Sequence, residues 1–132
     1  MNSTVEYLDV EDLLELARRL LGDPPPVRDL GLLGAAAARP QASAFGEDAY
    51  QDIWSKAGAL LHSIVSNHPL VDGNKRLGWL ATAVFLELNE ASVSTATNDD
   101  VYDLVMAVAT SALSVGDIAE TLEFMHEQAT DF

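Results

Sequence analysis

The stretch from Tyr50 to Leu88 constrains this chain most, because it carries two helical periodicities separated by a short polar loop. Tyr50, Ile53, Trp54, Ala57, Leu60, Leu61, Ile64 and Val65 recur at helical spacing, with Gln51, Asp52, Ser55 and Lys56 on the other side. The pattern predicts a long helix with one face in the core, ending near Ser66. Leu77, Leu80, Ala81, Val84 and Leu88 mark the buried stripe of a second helix from about Asn74 to Leu88, with Asn89 as its stop. Two long helices joined by a short loop set the expected fold class as all-α, a compact helical bundle with the loop at its centre.

The flanking sequence supplies further helices through its caps and breakers. Asp9 is a good N-cap, and Leu13, Leu14, Ala17, Leu20 and Leu21 then fall on one face. Gly22 ends that helix and Pro24-Pro25-Pro26 forbids its continuation. Asp29 is placed to cap a short helix to about Ala38, and residues 40–47 read as loop. Asn98 and Asp99 are placed to cap a helix carrying Val101, Leu104, Val105 and Val108. Ser114-Val115-Gly116-Asp117 resembles a capping box for a last helix, with Ile118, Leu122 and Met125 inward. Val5–Leu8 and Ser92–Ser94 read as a minor pair of short strands. At 132 residues, with 48% of them hydrophobic, the chain is expected to be a single domain over residues 1–132.

Charge removes several function classes. Seven Lys and Arg face 21 Asp and Glu, a formal net charge of −14. A surface that grips nucleic acid needs clustered cations to neutralise phosphates, and the basic residues here are scattered, so neither direct nucleic-acid binding nor attachment to anionic lipid is expected. No apolar run approaches the roughly 18–20 residues that span a bilayer. Met1-Asn2-Ser3-Thr4 lacks the basic-then-apolar order of an export signal. The chain has no cysteine, which excludes disulfides and thiolate metal sites. A cytoplasmic location is the expectation.

The loop itself reads His68-Pro69-Leu70-Val71-Asp72-Gly73-Asn74-Lys75-Arg76. It feeds the N-terminus of the second helix, where the first N–H groups lack intrahelical partners and the dipole adds partial positive charge. Gly73 lets the backbone approach a ligand closely. Lys75 and Arg76 in the first turn oppose the dipole, which makes an anion such as phosphate the natural occupant. Asp72 is suited to hold Mg²⁺ beside phosphates. His68 carries the side-chain type best suited to take a proton from an attacking hydroxyl, an effect worth about 10²–10⁴ in rate. The same residues also suit an ordinary helix-capping turn, since Asp-Gly-Asn is common turn chemistry.

The loop resembles the signature of the Fic/Doc family, His-Pro-Phe-x-Asp-Gly-Asn-Gly/Lys-Arg, at His68, Pro69, Asp72, Gly73, Asn74, Lys75 and Arg76. Val27-Arg28-Asp29-Leu30-Gly31-Leu32-Leu33, Ala38-Arg39-Pro40, Lys56-Ala57, Asn67-His68 and Phe85–Asn89 are similar to the Doc (death-on-curing) branch. The resemblance covers roughly Tyr7 to Leu88. It implies the Fic fold, His68 as general base, Asp72 as Mg²⁺ ligand, Gly73 and Asn74 cradling a phosphate, and Lys75 and Arg76 binding phosphates and stabilising transfer. It also makes Arg28 a possible substrate-binding residue, with a salt bridge to an acidic neighbour as the alternative. Leu70 stands where the family has Phe.

Fic members that transfer AMP resemble one another in having Gly at the position of Lys75 and a second Arg at that of Trp79. Lys75 and Trp79 therefore favour the Doc type, a protein kinase moving the ATP γ-phosphate to a Ser/Thr hydroxyl. The resemblance implies ATP and Mg²⁺ as cofactors, elongation factor Tu as acceptor, translation arrest as outcome, and a Phd-like antitoxin as partner. An AMP transferase and a catalytically weak module held by an antitoxin are the alternatives. Ser43-Ala44-Phe45-Gly46-Glu47 matches the self-inhibitory Ser-x-x-x-Glu pattern of some Fic proteins but reads as a helix start. His62 reads as a helix-flank histidine and His126 as solvent-exposed. Trp79 reads as core.

Overall fold

The structure, a computed structural model, describes residues 4–129. Residues 1–3, where the reading against an export signal begins, lie outside it. Six α-helices follow one another: α1 Val10–Leu21, α2 Leu30–Ala38, α3 Ile53–Asn67, α4 Asn74–Leu88, α5 Asn98–Ala109 and α6 Val115–Ala129. A 3₁₀ turn, Arg39–Gln41, and a two-residue antiparallel pair, β1 Ser43–Ala44 with β2 Glu47–Asp48, lie between α2 and α3. Among the described residues, no helix is long and apolar enough to cross a membrane.

Local caps set most helix starts. Asp9 and Asp12 form a reciprocal box at α1, at 2.8 and 3.0 Å. Asp29 accepts from the Leu32 N–H at α2, and Asp52 from the Ser55 N–H at α3. Ser114 and Asp117 close the box at α6. Thr97, not Asn98 or Asp99, caps α5, through its hydroxyl on the Asp100 N–H. Each satisfies donors that the first turn leaves open. Helix α4 differs: it starts on Gly73 with no side-chain cap.

Helix α3 is the axis of the bundle, packed against α2, α4, α5 and α6. Gly78 lets α4 come close: a Cβ there would lie 2.8 Å from Val65 Cγ2. Leu13, Leu33, Leu61, Ile64, Leu77, Phe85, Ile118 and Leu122 fill the core between the helices.

The structure corrects several expectations. Helix α3 is surrounded, so residues Lys56 to Leu61 are all buried, and a two-faced reading fails. Lys56 sits inside at 2% exposure. Its Nζ donates to Tyr50 O at 2.6 Å and to Asp48 Oδ2 at 3.0 Å. Burial disfavours its charge, but the Asp48 carboxylate and the neighbouring Tyr7 side chain outweigh this and raise its pKa. On α4, Phe85 and Leu86 enter the core while Leu88 is half-exposed, because α4 also packs on α1 and α5. Val5–Leu8 is extended but unpaired with any strand: Asn89 clips it by accepting from the Glu6 N–H and donating to Glu6 O, both at 2.9 Å. Ser92–Ser94 forms no strand: the Ser94 N–H donates to Ser92 Oγ, and a turn follows at Ser94 and Thr95. Residues 43–48, read as loop and helix start, form the hairpin, with Phe45 and Gly46 at positive φ. His126 is half-buried, donating to Ser92 O at 2.7 Å and packed on Trp54.

Candidate active site

The loop between α3 and α4 is held from three directions. Helix α3 ends on His68, whose backbone is left-handed at φ 52°, ψ 60°. Pro69 and Leu70 then turn inward and are buried. Leu70 forms an antiparallel bridge with Val27. The N–H groups of Arg28 and Asp29 donate to Pro69 O at 2.8 and 3.0 Å, and the Val71 N–H donates to Pro26 O at 2.8 Å. From inside the loop, Asn74 accepts from the Leu70 N–H at 2.9 Å and donates to Leu70 O at 3.0 Å. Leu70 is 1% exposed, so the smaller side chain still anchors the loop in the core.

His68, Asp72, Gly73, Asn74, Lys75 and Arg76 line one cleft of about 490 Å³, with Val65, Val71 and Ala109. Six residues singled out from sequence thus share a single cavity. Ala109, from the end of α5, carried no sequence signal. Arg28 is not in that lining. Its Nε donates to His68 O at 2.8 Å and its Nη2 to Asn67 O at 3.1 Å. The guanidinium grips backbone carbonyls rather than a carboxylate.

Charge in the cleft is uneven. Arg18 and Arg19 pair with Glu15, and Lys56 with Asp48. Arg39 donates to Tyr50, His62 and Ser63. Among the described residues, Lys75 and Arg76 have no carboxylate partner, although the chain carries 21 acidic residues. Both are exposed at the uncapped start of α4. Two free cations beside open N–H groups and a dipole of the same sign make this helix start suited to an anion.

His68 and Asp72 are exposed. Among the described residues, no hydrogen bond holds the His68 imidazole, which leaves both ring nitrogens available. Asp72 Oδ1 accepts from the Gly73 N–H at 2.9 Å, leaving its other oxygen open. No group of three or more His, Asp or Glu among the described residues could hold a metal alone. One carboxylate beside an anion site fits Mg²⁺ that arrives with phosphates, since this ion is commonly held by one or two carboxylates plus phosphate oxygens and water.

A second cavity, an apolar groove of about 550 Å³, runs between α1, α4 and α5. Leu20, Trp79, Leu80, Val101, Tyr102 and Met106 line it, and it shares Lys75 and Arg76 with the cleft. Trp79 is half-buried and forms a wall of this groove instead of packing wholly in the core. His62 lies outside both cavities, and its Nδ1 accepts from Arg39 Nη1 at 2.9 Å. Burial, and then the charge of Arg39, push its pKa below the usual histidine value.

The sequence model of the Fic/DOC family matches residues 7–86. The chain is also 47% identical over 118 residues to a protein of Mycolicibacterium smegmatis named Toxin Doc, covering 89% of this chain and 91% of that one. This chain belongs to the Fic/DOC family. The six-helix architecture fits the Fic fold that the loop motif implied.

Proposed function

Proceeding from membership of the Fic/DOC family, we propose that this chain is the toxin of a toxin–antitoxin pair, acting as a Doc-type protein kinase. It transfers the γ-phosphate of ATP to a Ser or Thr hydroxyl of a protein, with elongation factor Tu as the expected acceptor and translation arrest as the result. The observation that carries this reading is the unpaired Lys75–Arg76 couple at the uncapped N-terminus of α4, in the same cleft as His68. A relative named Toxin Doc, similar over most of both chains, supports the toxin assignment.

In this reading the acceptor oxygen attacks the γ-phosphorus, the bond from that phosphorus to the β–γ bridging oxygen breaks, and ADP leaves. His68 takes the hydroxyl proton. Lys75, Arg76 and the open N–H groups of α4 hold phosphate oxygens and offset the charge that develops on them. Asp72 would hold Mg²⁺, which when bound supplies further neutralisation of the phosphates. Loss of one such donor typically costs about 10²–10³ in rate.

Neutralisation is assigned to a Phd-like antitoxin seated in the apolar groove. The groove and the cleft share Lys75 and Arg76, so an occupant lies against the phosphate-binding side chains. Bacteria expressing the chain alone should stop growing. His68→Ala should restore growth at equal protein level, and Leu80→Glu in the groove should weaken antitoxin rescue. Normal growth of cells that accumulate the wild-type chain would count against the toxin reading.

A further inference from the structure

We infer that Arg28 is a positioning residue, whose guanidinium holds the backbone turn that presents His68 to the cleft from forty positions earlier in the chain. The inference rests on the reading of His68 as the base.

His68 is left-handed at φ 52°. For a residue with a Cβ this conformation costs about 1–2 kcal/mol. It persists where surrounding bonds over-determine it. A helix that ends on a left-handed residue is usually closed by the N–H of the next residue reaching back to the last turn. Here the next residue is Pro69, which has no N–H. The donors must come from elsewhere, and the segment before α2 provides them.

Three consecutive carbonyls are taken in order. Asn67 O accepts from Arg28 Nη2, His68 O from Arg28 Nε, and Pro69 O from the backbone N–H groups of Arg28 and Asp29. The planar fork presents two donors in fixed geometry to two adjacent carbonyls, which a flexible ammonium does not. The positive charge also lies at the C-terminal end of α3, where the dipole favours it. Arg28 is exposed, so its removal leaves no buried hole, and the two backbone donors to Pro69 remain.

The test compares the purified wild type with Arg28→Gln and Arg28→Lys. Backbone couplings and the intraresidue amide-to-Hα contact at His68 report its left-handed turn by NMR. Steady-state kinetics with ATP and acceptor report chemistry and nucleotide binding separately. Loss of the left-handed signature at His68 in Arg28→Gln is expected, with kcat falling roughly 10–100-fold, the scale of a small misplacement of a reacting group. KM for ATP should change by less than about twofold, since the phosphate-binding residues are untouched. Arg28→Lys should be only partly restored. Should Arg28→Gln unfold, Arg28→Lys keeps the charge and carries the same readouts. A retained His68 signature overturns the inference, whatever happens to activity, and so does a raised KM for ATP with kcat intact. If the wild type transfers no phosphate, the proposed kinase reading fails, and the NMR comparison still decides the role of Arg28.

Discussion

Asn74 and Leu70 exchange two hydrogen bonds across the loop: the Leu70 N–H donates to Asn74 Oδ1 at 2.9 Å, and Asn74 Nδ2 donates to Leu70 O at 3.0 Å. The first residue of α4 therefore sets the shape of the turn that leads to it. Both amide functions point back into the loop, so in the proposed phosphate site the role of Asn74 is chiefly to fix the backbone. Asn74→Ala should lose about 1–3 kcal/mol, as expected when partly buried groups lose partners. Asn74→Asp keeps the acceptor but loses the donor and adds negative charge beside the anion site. Urea unfolding and transfer rate, measured on both variants, should show Asp costing more in rate than in stability.

Gly73 meets Leu21 of α1 across the loop. Its φ is +86°, and a Cβ there would lie 2.7 Å from both Leu21 methyls. The methyls end a flexible side chain and can give way, so the backbone angle is the larger obstacle. Gly73→Ala should cost about 1–2 kcal/mol, and adding Leu21→Ala should not restore it. Gly73→Asn should cost less than Gly73→Ala, because Asn tolerates left-handed angles better. Thermal melts of the four proteins check this order.

Lys75 and Arg76 sit where cations oppose a helix dipole by about 0.3–1 kcal/mol each, and they stabilise no carboxylate among the described residues. Their replacement by Gln should shift stability by less than about 1 kcal/mol in either direction. Nucleotide binding should fall at least tenfold for either variant, read by calorimetry with Mg²⁺ and ATP. A large loss of stability would make them structural residues instead.

His62 gives the fold a pH dependence of definite sign. Its pKa is lowered in the folded state from the ordinary 6.5, first by burial and then by Arg39. Below 6.5 the unfolded chain therefore binds a proton that the folded chain resists, and stability falls as pH falls. His62→Gln keeps an acceptor for Arg39 without titrating. The melting temperature of the wild type should drop more than that of the variant between about pH 6.5 and 5. Parallel curves would show that the folded chain does not resist protonation of His62.

Elements closed by neighbours in sequence could be read from the sequence. Asp9, Asp29 and the Ser114–Asp117 box begin the helices they were expected to begin, and the residues of the loop motif come together in one cleft because they lie within nine positions of each other. What depended on distant partners was not readable. Lys56 is a nearer case: its acceptors, Tyr50 O and Asp48, lie within eight positions, but they reach it only through the hairpin, which carries no periodicity in the sequence. Val5–Leu8 alternates like a strand, but its partner is the Asn89 side chain, 83 positions away from Glu6. The hydrogen bonds of Arg28 to Asn67 and His68 likewise cross the length of α2 and α3. Trp79 reads as core from the sequence but is a half-buried groove wall, because that groove exists only where α1, α4 and α5 meet.

The most direct test of the phosphotransfer reading uses purified protein, Mg²⁺ and elongation factor Tu, with ATP labelled on the α-phosphate in one reaction and on the γ-phosphate in another. In that reading, label reaches the acceptor from the γ-position alone, and none does so with His68→Ala. Label arriving from the α-position would contradict it, making the chain an AMP transferase despite Lys75 in the loop.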